Sequence, residues 1–196
     1  MEYTRRSTLG ALGSGVALSL AGCLSAPGSG SGITETETVP LAVRGTRPAW
    51  HDEGVVGHAV LVASDEDQAA ALEAFDLPGE RVAAIESSLE GPDYQTERVL
   101  LVESVGPSAC YRTVEFENVQ LIDGTLQATA RVVESGDEDA CATVITYPSA
   151  LLRVTVDGTP PENAEITVRN GWGDQETDSV SAGDGIDGLV PESNQD

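Results

Sequence analysis

Two histidines, three cysteines and two tryptophans are the side chains of this 196-residue sequence with chemistry to offer beyond simple acidity. Trp50, His51, Asp52 and Glu53 run together, and His58 is close by in the chain. A histidine beside carboxylates can move a proton or help hold a metal ion. On that reading His51 and His58 serve a small secreted hydrolase or metal-dependent enzyme. The other reading is a solvated loop that leads into a strand. No serine sits in a nucleophile-elbow sequence, and two histidines are few for a metal centre. Trp50 and Trp172 read as rim or core aromatics, or as a stacking pair for a sugar or peptide. Of the cysteines, Cys110 and Cys141 form an even pair once Cys23 is set aside. Outside the cytoplasm such a pair reads as a disulfide. A two-cysteine metal site is the rival, but neither histidine stands at zinc-like spacing to them.

Cys23 needs its own context. Residues 9–24 carry no charge, yet they number only 16 and include four glycines. A membrane-crossing helix needs about 20 mostly apolar residues, and glycine forms helix poorly. A positive start, a short apolar middle and small residues at a cleavage point fit an export signal better than a span. Arg5 and Arg6, within Thr4-Arg5-Arg6-Ser7-Thr8-Leu9, resemble a twin-arginine signal, an address read by a receptor. Leu20-Ala21-Gly22-Cys23 resembles the lipobox of secreted lipoproteins. The resemblance implies cleavage before Cys23, a lipid thioether on its sulfur, and a chain exported and held at the outer face of the cytoplasmic membrane. Two or more acyl chains anchor stably where one does so only marginally.

Removal of residues 1–22 takes away Glu2 and both signal arginines. It leaves 32 acids against 8 arginines, a formal charge of −24. There is no lysine anywhere in the chain. So much like charge repels itself at low ionic strength, whereas at molar salt the screening length shrinks to about 3 Å. The absence of lysine, the scarcity of aromatics and the excess of Asp and Glu resemble proteins of extreme halophiles, of archaeal type. The alternative is an acidic chain that attracts a cation or a basic partner. Nucleic acid is excluded as a partner class, because phosphate binding needs clustered Lys or Arg.

The rest of the chain must supply the elements that position these side chains. Residues 23–38 are small and polar and read as a lipidated flexible tether with a reach of roughly 20 Å. A single globular domain is expected over 39–172, long enough to bury a core. Residues 55–63 read as a strand. Ser64 reads as a helix N-cap, with Asp65, Glu66 and Asp67 in the first turn, where acids suit the helix dipole. A second helical or irregular piece is expected over 80–89. Residues 99–105 are nearly all apolar and predict a central strand. Asp123-Gly124 predicts a hairpin. Leu126, Ala128, Ala130 and Val132 alternate cleanly with polar residues. On the partner run Val114 and Phe116 are out of phase with Val119 and Leu121. A β-bulge near Glu117-Asn118 is therefore expected, which would set Arg112 opposite Glu134. Cys141 is expected to open a further strand, with others over 152–156 and 166–168. In a plain meander Cys110 and Cys141 would stand roughly 10 Å apart, beyond the ~7 Å a bridge allows. Either Cys141 curls over the sheet end, or its strand leaves meander order. Residues 173–196 carry seven acids and no base and read as a disordered acidic tail. Gly183-Asp184-Gly185-Ile186-Asp187-Gly188 faintly resembles calcium-binding Gly-Asp repeats.

Residues 93–156 carry Asp93-Tyr94, an apolar strand ending in Gly106-Pro107, Ala109-Cys110-Tyr111, the Asp123-Gly124 hairpin and Thr146-Tyr147-Pro148-Ser149-Ala150-Leu151-Leu152. That order resembles the C-terminal domain of protease-complex subunits of the PrcB type. Two departures stand out: Ala-Cys replaces the Gly-Gly before tyrosine, and Tyr147 precedes its proline. The resemblance implies a small α+β module used as an accessory or interaction part, without catalytic residues. The expectation is thus an α+β fold, mostly antiparallel sheet of five to seven strands with one or two helices on one side. Its role would be non-catalytic binding or structural interaction in strong salt, with no cofactor or metal.

Overall fold

The computed structural model describes residues 32–74, 91–135 and 141–189. Arg5, Arg6, Cys23 and the helical piece expected over 80–89 lie outside them. The described chain forms eight strands: β1 (Ile33–Arg44), β2 (Gly57–Val62), β3 (Glu97–Ser104), β4 (Tyr111–Ile122), β5 (Thr125–Glu134), β6 (Tyr147–Val156), β7 (Asn163–Arg169) and β8 (Gln175–Ser181). One α-helix, α1 (Asp65–Ala74), and 3-10 turns at Ala49–Glu53 and Ile186–Leu189 complete it. The fold is α+β. The strands make two four-stranded sheets, ordered β1-β6-β3-β2 and β4-β5-β7-β8. All pairings are antiparallel except β5 with β7. That parallel pair arises because β6, between them in sequence, sits in the other sheet.

The burial pattern explains this layering. Leu126, Ala128, Ala130 and Val132 of β5 and Ala164, Ile166 and Val168 of β7 face Leu100 and Val102 of β3 and Leu152 and Val154 of β6 in one core. The outer face of the β4-β8 sheet is polar, with Glu115, Glu117, Glu165 and Arg169 on it. The other sheet is covered on both sides. Its second face, through Val60, Val62, Val99, Leu101 and Leu151, packs on Ala71 and Leu72 of α1 and on Leu189. Burial on both faces is why β3 reads as a continuous apolar run rather than an alternating one. Each fully buried Leu or Val contributes roughly 1.5–3 kcal/mol relative to exposure.

The helix start and the hairpin both form where their local signals stand. Ser64 Oγ accepts from Asp67 N at 3.1 Å, and Asp67 Oδ2 accepts from Ala63 N at 3.2 Å, a reciprocal N-terminal cap. Phe116 pairs with Ala130 and Leu121 with Leu126, with a register shift between Glu117 and Gln120 and Asn118 at φ 54°. The bulge thus lies where the phase slip requires it. A second shift at Arg112 puts Tyr111, not Arg112, opposite Glu134.

Other expectations are corrected. Residues 33–38, read as tether, belong to β1, where the alternating Thr and Glu lie exposed on an edge strand. Residues 175–181, read as disordered tail, form β8, whose Val180 is its one buried side chain. The folded unit continues to Leu189, which is buried beneath α1. Cys141 opens no strand: residues 141–145 are irregular, and β6 starts at Tyr147 in the opposite sheet. Cys110 and Cys141 are joined with their Cα atoms 5.6 Å apart: the β4–β5 hairpin brings the chain back to Cys110, whose carbonyl accepts from Ser135 N at 2.9 Å, and Cys141 stands in the irregular segment before the chain crosses to the other sheet.

Candidate functional site

The bridge lies at one end of the sandwich, where three loops meet. The turn before β4 carries Gly106, Pro107 and Cys110. Gly106 exchanges backbone hydrogen bonds with Thr146 at 2.8 and 3.1 Å, and Ala109 N donates to Ala142 O at 3.0 Å. Thr146 Oγ1 donates to Ser108 O and Tyr111 O at 3.2 and 2.9 Å. The third loop is the β7–β8 turn, Asn170-Gly171-Trp172-Gly173-Asp174. Gly171 N donates to Val105 O at 2.9 Å. A Cβ on Gly171 would stand 2.5 Å from Pro107 Cδ and 2.8 Å from Tyr111 Cδ1, so only glycine allows this approach.

Asn170 organises that turn from below. Its side chain is buried, and Oδ1 accepts from Trp172 N at 2.9 Å and Asp174 N at 3.0 Å. Asn170 N donates to Asp174 O, and Gly173 N to Asn170 O, at 2.9 and 3.0 Å. The backbone is therefore fixed while the Trp172 side chain stays 54 % exposed. Val144 and Ile145, at 49 % and 40 %, add exposed apolar surface on the neighbouring stapled loop. An open depression of about 350 Å³ lies beside Trp172, lined by Tyr111, Arg131, Val132, Val133, Glu134, Arg169 and the 170–173 turn. Arg131 Nη2 meets Glu115 Oε2 and Glu117 Oε1 at 3.0 and 2.9 Å. Arg169 Nη2 donates to the neutral Gln175 at 2.8 Å, and among the described residues it makes no ion pair.

The histidines lie elsewhere. His51, in the 3-10 turn Ala49–Glu53, sets its ring edge-on to Tyr147 (5.3 Å between centroids) and Trp50 (5.7 Å). Its Nδ1 is buried and has no hydrogen-bond partner among the described residues. Desolvation lowers its pKa, Arg47 adds to the shift and Asp52 opposes it; Arg47 and Asp52 form an ion pair. His58 Nε2 bonds Gly185 O at 2.5 Å, and a Cβ on Gly188 would collide with its ring. Desolvation again lowers its pKa, against the Gly185 bond, Asp178 and Glu53. The Gly183–Gly188 stretch thus wraps an imidazole. Asp184 and Asp187 point to solvent, and no group of three or more His, Cys, Asp or Glu close enough to hold a metal occurs among the described residues. No hydrogen bond joins His51 and His58 there.

The two tryptophans do not form a stacking pair. Trp50 is 1 % exposed and bound to a buried carboxylate, whereas Trp172 is at the surface. The buried cluster around Trp50 was invisible in the sequence: Glu103, fully buried, accepts from Arg44 Nε at 2.7 Å and from Trp50 Nε1 at 2.7 Å, and Arg44 Nη2 completes a fork on it. Arg44 Nη1 reaches Leu189 O at 2.8 Å. Burial pushes the Glu103 carboxyl upward, and Arg44 and Trp50 oppose that shift. Each of these nitrogens is a donor, so the cluster suits a carboxylate and joins β1, β3 and both 3-10 turns. Trp172 is an exposed aromatic ring at this end of the sandwich, whereas His51 and His58 are both partly buried.

No protein-family profile, no curated protein and no solved structure matches the chain.

Proposed function

We propose that this chain is a lipid-anchored, non-catalytic binding module that works on the outer face of the cytoplasmic membrane in strong salt. The observation that carries the binding role is Trp172, held exposed on a hydrogen-bonded turn at the disulfide-stapled end of the sandwich. Exposed aromatics on a fixed backbone contribute contact area at low entropic cost. The Arg5-Arg6 pair and the Leu20–Cys23 lipobox support the export and the anchor, and the Cys110–Cys141 bridge suits an oxidising compartment. The resemblance of residues 93–156 to PrcB-type accessory domains points to interaction rather than catalysis. No helix among the described residues is long and apolar enough to cross a membrane.

The test is made in cells at high salt. Cys23→Ser should leave an unlipidated chain that leaves the membrane fraction, while the parent carries a lipid mass on Cys23. Trp172→Ala should abolish the surface cross-links the parent makes, and a His51→Ala/His58→Ala double variant should retain them. An unmodified Met1 on a cytoplasmic chain would refute the reading.

A further inference from the structure

We infer that the depression beside Trp172 binds an acidic saccharide, a sugar bearing a carboxylate, with its ring on the indole and its carboxylate on Arg169. The inference deepens the binding role proposed above and rests on it.

The chemistry of the walls decides the class. Trp172 and Tyr111 offer aromatic surface, and the rim carries planar hydrogen-bonding groups on Arg131, Arg169 and Glu134. A sugar ring presents an apolar C–H face and an equator of hydroxyls, and this pairing of surfaces matches both. An apolar peptide anchor would need a pocket that encloses it. Here the depression is open above, and its aliphatic lining is limited to Val132, whose side chain belongs to the core, and Val133. Its volume of about 350 Å³ suits a small ligand or one unit of a chain.

Charge decides the acidity. The whole chain holds 33 acids against 10 arginines, yet this depression is lined by two arginines and one acid, Glu134. Arg169 is exposed, and its one side-chain bond among the described residues goes to the neutral Gln175. Its guanidinium is therefore open to a carboxylate from outside, and arginine holds that group through paired N–H donors. Arg131 is already held by Glu115 and Glu117 through Nη2, and its Nε, without an acceptor among the described residues, is buried, so the carboxylate falls to Arg169. Strong salt removes long-range attraction beyond about 3 Å. Recognition there must rest on direct contact and on apolar stacking, which this face combines.

The experiment is a titration of the full chain in molar KCl with tetragalacturonate, monitored by tryptophan fluorescence and calorimetry. Trp50 is buried and serves as the unchanging background. We expect a saturable change in Trp172 emission, and neutral maltotetraose should bind roughly tenfold more weakly, the size of one charge-assisted contact. Trp172→Ala should lose both ligands. Trp172→Phe, which keeps a ring, should retain uronate binding within a few fold and guards against a folding defect. Arg169→Gln should weaken the uronate about tenfold and leave maltotetraose unchanged. No heat and no emission change at millimolar uronate overturns the inference. So does equal affinity for the two saccharides, binding indifferent to both variants, or equal competition by an Asp/Glu tetrapeptide. If the saccharide fails while Trp172-dependent surface cross-links persist, the ligand class is wrong and the binding role stands. If those cross-links are also absent, both readings fall.

Discussion

Trp50 Nε1 donates to Glu103 Oε2 at 2.7 Å, and the two side chains, at 1 % and 0 % exposure, are among the most buried in the molecule. Glu103 ends the apolar run of β3, while Trp50 lies in the 3-10 turn before β2. With the Arg44 fork on the same carboxylate, this cluster fixes the entry to β2 against the last residue of β1. Tyr147 packs edge-on to Trp50 at 6.0 Å and closes it from the side.

Removing one member of that cluster should cost far more than removing the pair. Glu103→Leu leaves a buried guanidinium without its counter-charge, and an expected loss is about 3–5 kcal/mol. Arg44→Leu should cost a similar amount by stranding the carboxylate. The double variant Glu103→Leu/Arg44→Leu should fall well short of the sum, because it buries no lone charge. It does not recover fully, since Trp50 Nε1 then lacks an acceptor, at about 1–3 kcal/mol. Denaturant unfolding of the four proteins at constant high salt measures the coupling; strict additivity would disprove it.

Acid should weaken the fold through His58. Burial holds its pKa below the ordinary 6.5, so the folded protein resists the proton that the unfolded chain accepts. That contribution is intact above about pH 6.5 and is lost as pH falls from there through the lowered folded value. His51 acts in the same direction. Glu103, raised by burial, acts oppositely: its contribution grows as pH falls through its folded value toward the usual carboxylate value. The comparison that isolates His58 is therefore with His58→Gln, which keeps a donor for Gly185 O. The stability gap between parent and variant should move in favour of the variant between roughly pH 7 and 5. A gap constant across that range would show that His58 carries none of the acid sensitivity.

The sequence was legible where one face of an element is apolar and its period is unambiguous. The alternation at Leu126–Val132, the phase slip at Glu117-Asn118 and the Ser64 cap each has a local cause, and each appears in the structure. β1 and β8 escaped because both are edge strands with one neighbour. Thr34–Thr38 and Gln175–Ser179 are wholly exposed, so burial writes no period into them. The Arg44–Glu103 pair escaped for another reason: its members are 59 residues apart, and nothing local marks a glutamate as buried. Trp172 stood out by type between two glycines, but its exposure depends on Asn170 and on the approach of Gly171 to Pro107.

The cross-link should stabilise by an amount set by the loop it closes. Cys110 and Cys141 are separated by 31 residues, which corresponds to about 3–4 kcal/mol from the lost freedom of the unfolded chain. Cys110→Ser/Cys141→Ser should lower the unfolding free energy by that much and leave the core packing in place, because Gly106–Thr146 and Ala109–Ala142 hydrogen bonds still join the two loops. Chemical denaturation of parent and double variant, both non-reduced, reads the difference. A loss under about 1 kcal/mol would mean that the bridge relieves no unfolded-state entropy.

Gly171→Ala should disconnect Trp172 from its platform. The new methyl would lie 2.5 Å from Pro107 Cδ, 2.8 Å from Tyr111 Cδ1 and 3.1 Å from Gly106 Cα, and two of these three atoms belong to rings and one to backbone. Little can give way, so the turn itself must lift, losing the Gly171 N to Val105 O bond. Overpacking of this kind costs about 1–3 kcal/mol, small enough for the sandwich to remain folded. The consequence falls on the surface: Trp172 should become more mobile, with faster fluorescence depolarisation than the parent, while buried Trp50 stays unchanged. Gly173→Ala is the matched control. Its φ of 91° is strained for alanine, yet among the described residues nothing beyond its chain neighbours stands within 4 Å of the added methyl, so it should weaken the turn without breaking contact with Pro107. If the two variants free the indole equally, the platform contact is not what holds Trp172 in place.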